Sequence, residues 1–581
     1  MTISANFPNL QTSLLLDFAN TKTLDPRITF SRPTTATYYD NHTTVVAEQN
    51  LVLQSQDFDN ASWIKSQATA TANSTTAPDG TTTADTVVST NSSTTGLGFY
   101  QSATTAIGST LSLYAKAGTA NFIGIANTSG GNSYANFNLG TGAVASSSGC
   151  TASIVSVGSG WYRCIVANVT SAGTSSFFIA PKDADPAASP WQVGTCASGN
   201  TVFIWGAQLE QRSSVTAYTP TTTTAITNYI PTLQTAVAND ARFDHNPTTR
   251  ESLGLLIEEQ RTNLLTYSSD FSNAAWTKTN ATITNTANVS PDGTQTAQLL
   301  IPSTGSNAKF IITAAAFAAN TYTQSIYAKY YGTQYLWISL DGVVTGGFFD
   351  LVNGTIASLG TGNTGTITPV GNGWYRCSVT KTVGISTNIS YGVSSSTSFT
   401  TTGNGYSGIY IWGAQLEGSS SFATSYIPTV ASQVTRSADS ASMTGTNFSS
   451  WYRADAGTFY IATSYLRYKS PTYIVSQAGV TSTLAFSPET SFWRILNENV
   501  SANAPLTSYA PNQDSADKIA LSYTLTNVTA SVRGNTTVSS TRTVTPFTQI
   551  NLTNATGVVT LAKLAYYPIA VTNAQLQGLT G

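Results

Sequence analysis

The chain has 581 residues and a mass of 61.0 kDa, more than one hydrophobic core organises, so several domains are expected. Charged residues make up only 9% of it, against roughly 25% in an ordinary soluble protein, and the formal net charge is -2, which removes any electrostatic basis for binding nucleic acid or an anionic membrane. Thr, Ser, Asn and Gly fill the gap together with 28 Tyr, 23 Phe and 10 Trp, a balance that argues against long helices and for an all-β chain with many loops.

Residues 1–45 match nothing later in the chain. Met1-Thr2-Ile3-Ser4-Ala5-Asn6 has no basic stretch leading into a long apolar core, so no signal peptide is expected, and no apolar run approaches the roughly 18 residues of a spanning helix. Leu14-Leu15-Leu16-Asp17-Phe18 is a short apolar run. The prolines in Leu24-Asp25-Pro26-Arg27-Ile28-Thr29-Phe30-Ser31-Arg32-Pro33 forbid a long helix after it. Two readings stand: an extended arm docked on another subunit or on the first domain, or a strand and turn that complete the first sandwich.

Residues 46–222 and 260–430 are two copies of one unit. Gly160-Trp161-Tyr162-Arg163-Cys164 and Ile204-Trp205-Gly206-Ala207-Gln208-Leu209-Glu210 in the first return as Gly373-Trp374-Tyr375-Arg376-Cys377 and Ile411-Trp412-Gly413-Ala414-Gln415-Leu416-Glu417 in the second. The separation is the same for Trp63 and Trp276, Tyr114 and Tyr327, and Trp161 and Trp374, and shortens only before Trp205 and Trp412. A constant register means one shared architecture with a loop of variable length. Leu111-Ser112-Leu113-Tyr114-Ala115-Lys116 alternates with period two and reads as a half-buried strand, and Pro78-Asp79-Gly80 is a turn.

Between the copies, residues 223–259 read as a structured connector, turn-like at Arg242-Phe243-Asp244-His245-Asn246-Pro247 and strand-like at Leu253-Gly254-Leu255-Leu256-Ile257-Glu258. Residues 431–581 carry neither repeated motif. Short strands are expected there at Thr458-Phe459-Tyr460-Ile461, Tyr473-Ile474-Val475, Ile519-Ala520-Leu521 and Leu564-Ala565-Tyr566, and a final helix capped by Thr572 with Leu576 and Leu579 on one face. The whole is expected to be serial antiparallel β-sandwiches of jelly-roll-like form.

The runs Asn263-Leu264-Leu265, Asp270-Phe271, Pro291-Asp292-Gly293, Tyr327-Ala328-Lys329, Gly373-Trp374-Tyr375-Arg376 and Trp412-Gly413-Ala414-Gln415-Leu416-Glu417 resemble jelly-roll modules of bacteriophage tail and other virion structural proteins, related in shape to carbohydrate-binding modules. Leu561-Ala562-Lys563-Leu564-Ala565-Tyr566-Tyr567-Pro568 is similar to a concanavalin A-like or laminin-G-like sandwich of the same proteins. The resemblance implies a non-enzymatic virion protein of the tail fibre or appendage type that contacts host polysaccharide. Capsid decoration without glycan binding and a glycan-degrading tail enzyme are the alternatives. It implies a homo-oligomer, with a trimer favoured, attached to other virion proteins through the N-terminal segment, without nucleic acid or membrane insertion.

Site residues follow from chemistry. Trp161, Trp205, Trp374 and Trp412 beside glycine on strands are expected to be structural, as are Cys164 and Cys377 at equivalent strand positions. Cys150 and Cys196 belong to the first unit alone, with pairing left open. Arg163 and Arg376 are expected opposite the Cys side chains, within reach of Glu210 and Glu417. Tyr330, Tyr331, Tyr335 and Trp337, with Asp341 and Asn404, are the candidates for ligand contact, because flat rings stack on sugars while Asp and Asn bond hydroxyls; packing within the strands is the alternative for the same rings. If one unit binds glycan, the second is the expected one, since the first offers only Asn121, Phe122 and Asn132 in the comparable region. His42 and His245 lie in turn-like stretches with no triad or zinc spacing. Glu48, Glu210, Glu258, Glu259 and Glu417 are the carboxylates available to a glycosidase pair. No cofactor is expected, a single structural calcium being invisible at this level.

Overall fold

The computed structural model describes residues 11–581 apart from 93–96, 128–132, 171–172, 186–194, 217, 341–345, 385, 469–485, 489–492, 496–515, 542–543, 545 and 553–556. Antiparallel sheets dominate it, and the longest helix among the described residues is Asn573–Thr580.

The duplication read from the motifs is complete at the level of topology. In the first sandwich one six-stranded sheet, here the front sheet, runs Ala143–Ser148, Ser133–Asn138, Phe122–Asn127, Gly173–Lys182, Gly98–Thr105, Ile64–Ser66. The back sheet runs Thr151–Gly158, Trp161–Ala167, Thr110–Ala117, Thr201–Glu210, Ala84–Ser89, Ala68–Thr75. The second sandwich repeats both orders strand for strand. Its front sheet is Thr355–Leu359, Gly347–Asp350, Tyr335–Ser339, Ser386–Ser394, Phe310–Phe317, Thr277–Thr279, and its back sheet is Asn363–Pro369, Trp374–Val383, Asn320–Tyr331, Gly408–Gly418, Ala297–Pro302, Ala281–Asn288. Alternation sends Leu111, Leu113 and Ala115 inward against Phe99, Ile123, Ile125, Phe137 and Ile179, with Cys164 and Cys196 in the same core. Cys377 takes the matching place in the second core. All four cysteines are free thiols.

The Trp-Gly motif marks a bulge. Register shifts between Trp205 and Gln208 and at the equivalent place beside Trp412, where Gly206 and Gly413 have φ of 62° and 64°. A Cβ at either glycine would also stand 3.0 Å from the ring of Tyr114 or Tyr327. Positive φ and a ring pressed on the backbone both demand glycine there.

In residues 11–45 the two short N-terminal strands neither dock as an arm on the first sandwich nor complete it. Leu14–Leu16 pairs with Gly557–Tyr567 at the far end of the chain, and Thr29–Ser31 pairs with Ser440–Met443. The connector joins the same sheet, because Arg242–His245 pairs with Ser252–Glu258, and that strand with Gly557–Tyr567. An eight-stranded sheet results, drawn from both chain ends and the middle. The physical reason is the buried length of Gly557–Tyr567, whose two edges need partners that the sequence after 431 alone does not supply. One core includes Leu14, Leu16, Phe18, Leu255, Ile257, Phe459, Ile519 and Tyr566. On the other face the final helix lays Leu576 and Leu579 over Tyr460, Ala565 and Tyr567. Thr572 caps that helix, its hydroxyl accepting from the Gln575 N–H while Gln575 Oε1 accepts from the Thr572 N–H at 2.9 Å. The expected strand at Tyr473-Ile474-Val475 lies outside the described residues.

A two-stranded ribbon, Ala36–Asn50 with Ile226–Ala236, ties this third sandwich to the first. His42 lies within that ribbon and His245 at the end of Arg242–His245, so both turn-like readings give way to strand. His245 Nδ1 stands 3.2 Å from the Tyr39 carbonyl, and burial lowers its pKa.

Candidate functional site

Of the six residues expected to meet a ligand, the five that the structure describes do not converge. Asn320–Tyr331 is a central strand of the second back sheet, and alternation turns Tyr327, Lys329 and Tyr331 to its outer face. Tyr331 packs on Tyr410 with ring centroids 5.0 Å apart. The Tyr114 phenol of the first sandwich lies beside it and, with burial, pushes its hydroxyl well above the ordinary tyrosine value. Lys329 pairs with Glu48 on the ribbon. Asn404 is exposed, and its Oδ1 accepts from the N–H groups of Tyr406 and Ser407 at 3.1 and 2.8 Å. The turn so held presents the Tyr406 hydroxyl to Gly80 of the first sandwich, 2.7 Å from where a Cβ would stand. Tyr331 and the Asn404 turn therefore meet the first sandwich. Tyr330 is 45% exposed at the end of the same strand.

Trp337 and Tyr335 sit on the other sheet. Trp337 is 0% exposed, laid over Gly392 and closed in by Phe310 at 5.7 Å and Phe399 at 5.1 Å. No sugar can stack on it, a correction whose cause is the cross-strand row of Phe348, Trp337 and Gly392, which only a buried indole fills. Tyr335 lies half-buried against the same cluster. Asp341 and Asn132 fall outside the described residues.

The four strand tryptophans are buried, yet outside the sandwich interiors. Trp161 and Trp205 join Tyr114, Ala77 and Ala84 on the outer face of the first back sheet. Trp374 and Trp412 join Tyr327, Tyr426, Tyr39 and Leu233 on the second, the last two supplied by the ribbon. Arg163 and Arg376 share that face, stacked on Tyr114 and Tyr327 at 5.2 and 5.3 Å. Each donates to one threonine carbonyl, Thr216 at 2.7 Å and Thr424 at 2.6 Å. The N–H and hydroxyl of those same threonines donate to Glu210 and Glu417. Arginine and glutamate thus meet through a threonine, which offers an acceptor to one and donors to the other.

A second repeated device escaped the motif reading. Asn50 Nδ2 donates to the carbonyls of Ala207 and Thr219 at 2.9 and 2.8 Å, while its Oδ1 accepts from Val52 and Leu209, both at 3.2 Å. Asn263 repeats all four bonds with Ala414, Ile427, Leu265 and Leu416. Only the matching placement of asparagine before a leucine and a second aliphatic residue, Asn50-Leu51-Val52 and Asn263-Leu264-Leu265, could have signalled it.

Charges meet most densely where the three chain segments of the third sandwich join. Arg242 bridges Glu258 at 2.7 Å and Asp439 at 2.5 Å, Arg32 reaches Asp439 at 3.0 Å, and Arg436 reaches Glu258 at 3.1 Å, all buried. Burial alone would raise the Glu258 carboxyl, but Arg436, Arg242 and the hydrogen bonds from Ser425 outweigh it and hold it at about 2. The remaining carboxylates considered for hydrolysis are engaged as well: Glu48 with Lys329, Glu210 with Thr216, Glu259 with Arg261 and Glu417 with Thr424. Among the described residues no group of three or more His, Cys, Asp or Glu is placed to hold a metal ion, and no helix is long and apolar enough to cross a membrane.

No family model and no curated protein matches the chain. Among solved structures, a crystal structure of a receptor binding domain aligns at 8% identity over 25% of this chain and 39% of that one, with a TM-score of 0.21. The N-terminal CBM22-1-CBM22-2 tandem domain of Paenibacillus barcinonensis Xyn10C aligns at 11% identity over 65% of this chain and 98% of that one, with a TM-score of 0.19. The chain thus spans well under two thirds of the first of these, and at such TM-scores neither likeness carries an argument.

Proposed function

We propose that this protein is a non-enzymatic virion structural component of a bacteriophage, a tail fibre or appendage that touches host-surface glycans through its repeated sandwiches. The observation that carries the reading is how the buried charges are used: Arg32, Arg242, Arg436, Glu258 and Asp439 join the beginning, middle and end of the chain into one sandwich. Ion pairs spent on joining segments suit a load-bearing part. The module resemblance supports the virion setting. Glycan contact would fall to exposed groups such as Tyr330 and Asn404, and repetition by symmetry would raise weak single contacts through effective concentration.

The burial of Trp337 and the use of Tyr331 at the junction with the first sandwich favour a second reading, a decoration or adaptor protein without glycan affinity. Gold-labelled antibody against the C-terminal sandwich, imaged on particles, separates them. Label at fibre tips together with retention of the full chain on host polysaccharide is the expected result. Label over the head with no retention selects the second reading, and protein absent from particles overturns both.

A further inference from the structure

The two front sheets are locked on their outer faces by different means. Strand pairing puts Gly124 where the second sandwich has Trp337: Gly124 stands between Asn136 and Ala180, and Trp337 between Phe348 and Gly392. Lys182 follows Ala180 by two positions, as Ser394 follows Gly392. Where the second sandwich has packed aromatic rings, the first has a lysine, an asparagine and an aspartate.

These three groups converge. Asn136 and Lys182 are each 1% exposed. A Cβ on Gly124 would meet Asn136 Oδ1 at 2.8 Å, Lys182 Cε at 2.9 Å and Lys182 Nζ at 3.4 Å, so side chains from the strands on either side reach over the same glycine. Asn136 Nδ2 donates to Asp185 Oδ1 at 3.2 Å and to Ser146 Oγ at 2.9 Å, and the Ser146 hydroxyl donates to the same Asp185 oxygen at 2.7 Å. Asn136 Oδ1 has no hydrogen-bond partner. Tyr134 and Phe178, both buried, pack close by on the same sheet face. Burial brings the Lys182 amine down to about 8, against the opposing pull of Asp185, so a useful fraction is neutral near physiological pH.

Such burial argues against a ligand arriving from solvent, whereas a reaction between neighbours needs no access. We propose that Lys182 and Asn136 form an intramolecular isopeptide bond, which joins strand Gly173–Lys182 to strand Ser133–Asn138 across Phe122–Asn127. The neutral Nζ adds to Asn136 Cγ. Asp185 accepts the proton that nitrogen loses and returns it to Nδ2, the Cγ–Nδ2 bond breaks, and ammonia leaves as the Nζ–Cγ amide forms. No oxidant, reductant or cofactor enters the balance. The amide is held by its leaving nitrogen, next to the carboxylate that must protonate it. The cross-link does for the first front sheet what Trp337, Phe348 and Phe310 do for the second.

Intact mass spectrometry of the full chain tests this, followed by proteolysis and peptide mapping. The expected result is a protein lighter than its sequence by one ammonia, with a branched peptide containing Asn136 and Lys182. The Lys182→Arg variant should recover the full mass, as should an Asp185→Ala variant that remains folded by circular dichroism. Full sequence mass in the wild-type protein after prolonged incubation overturns the proposal, whatever the variants do. So does an ammonia loss that maps to a succinimide at Asn353-Gly354 or another Asn-Gly pair. Cross-linking undiminished in Asp185→Ala overturns the role given to that carboxylate.

Discussion

At the residue scale, the repeat shows what a single polar side chain holds when all its valences are used. Asn263 closes two carbonyls and two N–H groups of three separate segments, and alanine there would leave four backbone groups to desolvate unpaired. Asn263→Ala should cost about 3 kcal/mol, read as a lower denaturant midpoint for the second sandwich, with Asn50→Ala doing the same to the first. Asp85 supplies a pH test. It accepts the Phe58 and Asn73 N–H groups at 2.8 and 2.9 Å, and burial still pushes its carboxyl up to about 6, whereas the matching Gln298 accepts from Phe271 without a charge. The folded pKa lies above the unfolded one, so the contribution of Asp85 is present in full below about pH 4 and is lost as pH rises through 6. Against Asp85→Asn, the wild-type protein should lose up to about 3 kcal/mol between pH 4 and 7 in thermal melts, and a flat difference would refute the assignment. The alternation of Leu111 to Lys116 and the Trp-Gly motif were legible from residues alone. Tyr331 as a module contact was not, because an aromatic at a strand end reads the same whether it faces a sugar or a neighbouring phenol.

At the element scale, the short strand Leu14–Leu16 shows why the first 45 residues resisted assignment. Three apolar residues do not name their partner, and the partner, Gly557–Tyr567, lies at the other end of the chain. Arg32 follows the second N-terminal strand and reaches Asp439 with no solvent between them. Arg32→Ala should therefore destabilise the third sandwich by about 3 kcal/mol, because it leaves a buried carboxylate short of a partner. Calorimetry should show that sandwich melting earlier while the two repeats keep their transition. Earlier melting of the first sandwich instead would place the N-terminal segment against that sandwich. The final helix, in contrast, was readable to its cap, since Thr572, Gln575, Leu576 and Leu579 act within two turns.

At the scale of the whole molecule, the polar contacts that set the repeats against each other among the described residues include Lys329 with Glu48, Ser214 with Gln295 at 2.8 Å, the Tyr331 hydroxyl with that of Tyr114, and the Tyr406 turn against Gly80. Reversing Glu48 to Lys should loosen that junction, seen as faster hydrogen exchange in Asn320–Tyr331 and a broader solution scattering profile. The double variant Glu48→Lys with Lys329→Glu should restore it. No restoration would mean that the hydroxyl contact of Tyr331 with Tyr114 holds the junction without help from the pair.

Local and periodic features were legible along the chain: the all-β class, the duplication and the register of each copy, and the terminal helix. These depend on alternation, turn residues and repeated spacing, which are properties of neighbours along the chain. Tertiary structure alone decided that the first strand joins the last, that Trp337 is sealed while Gly124 leaves room for Asn136 and Lys182, and that the conspicuous arginines and glutamates meet through threonines. Those outcomes depend on which sheet faces remain to be covered after folding, and no pattern of neighbours along the chain records that.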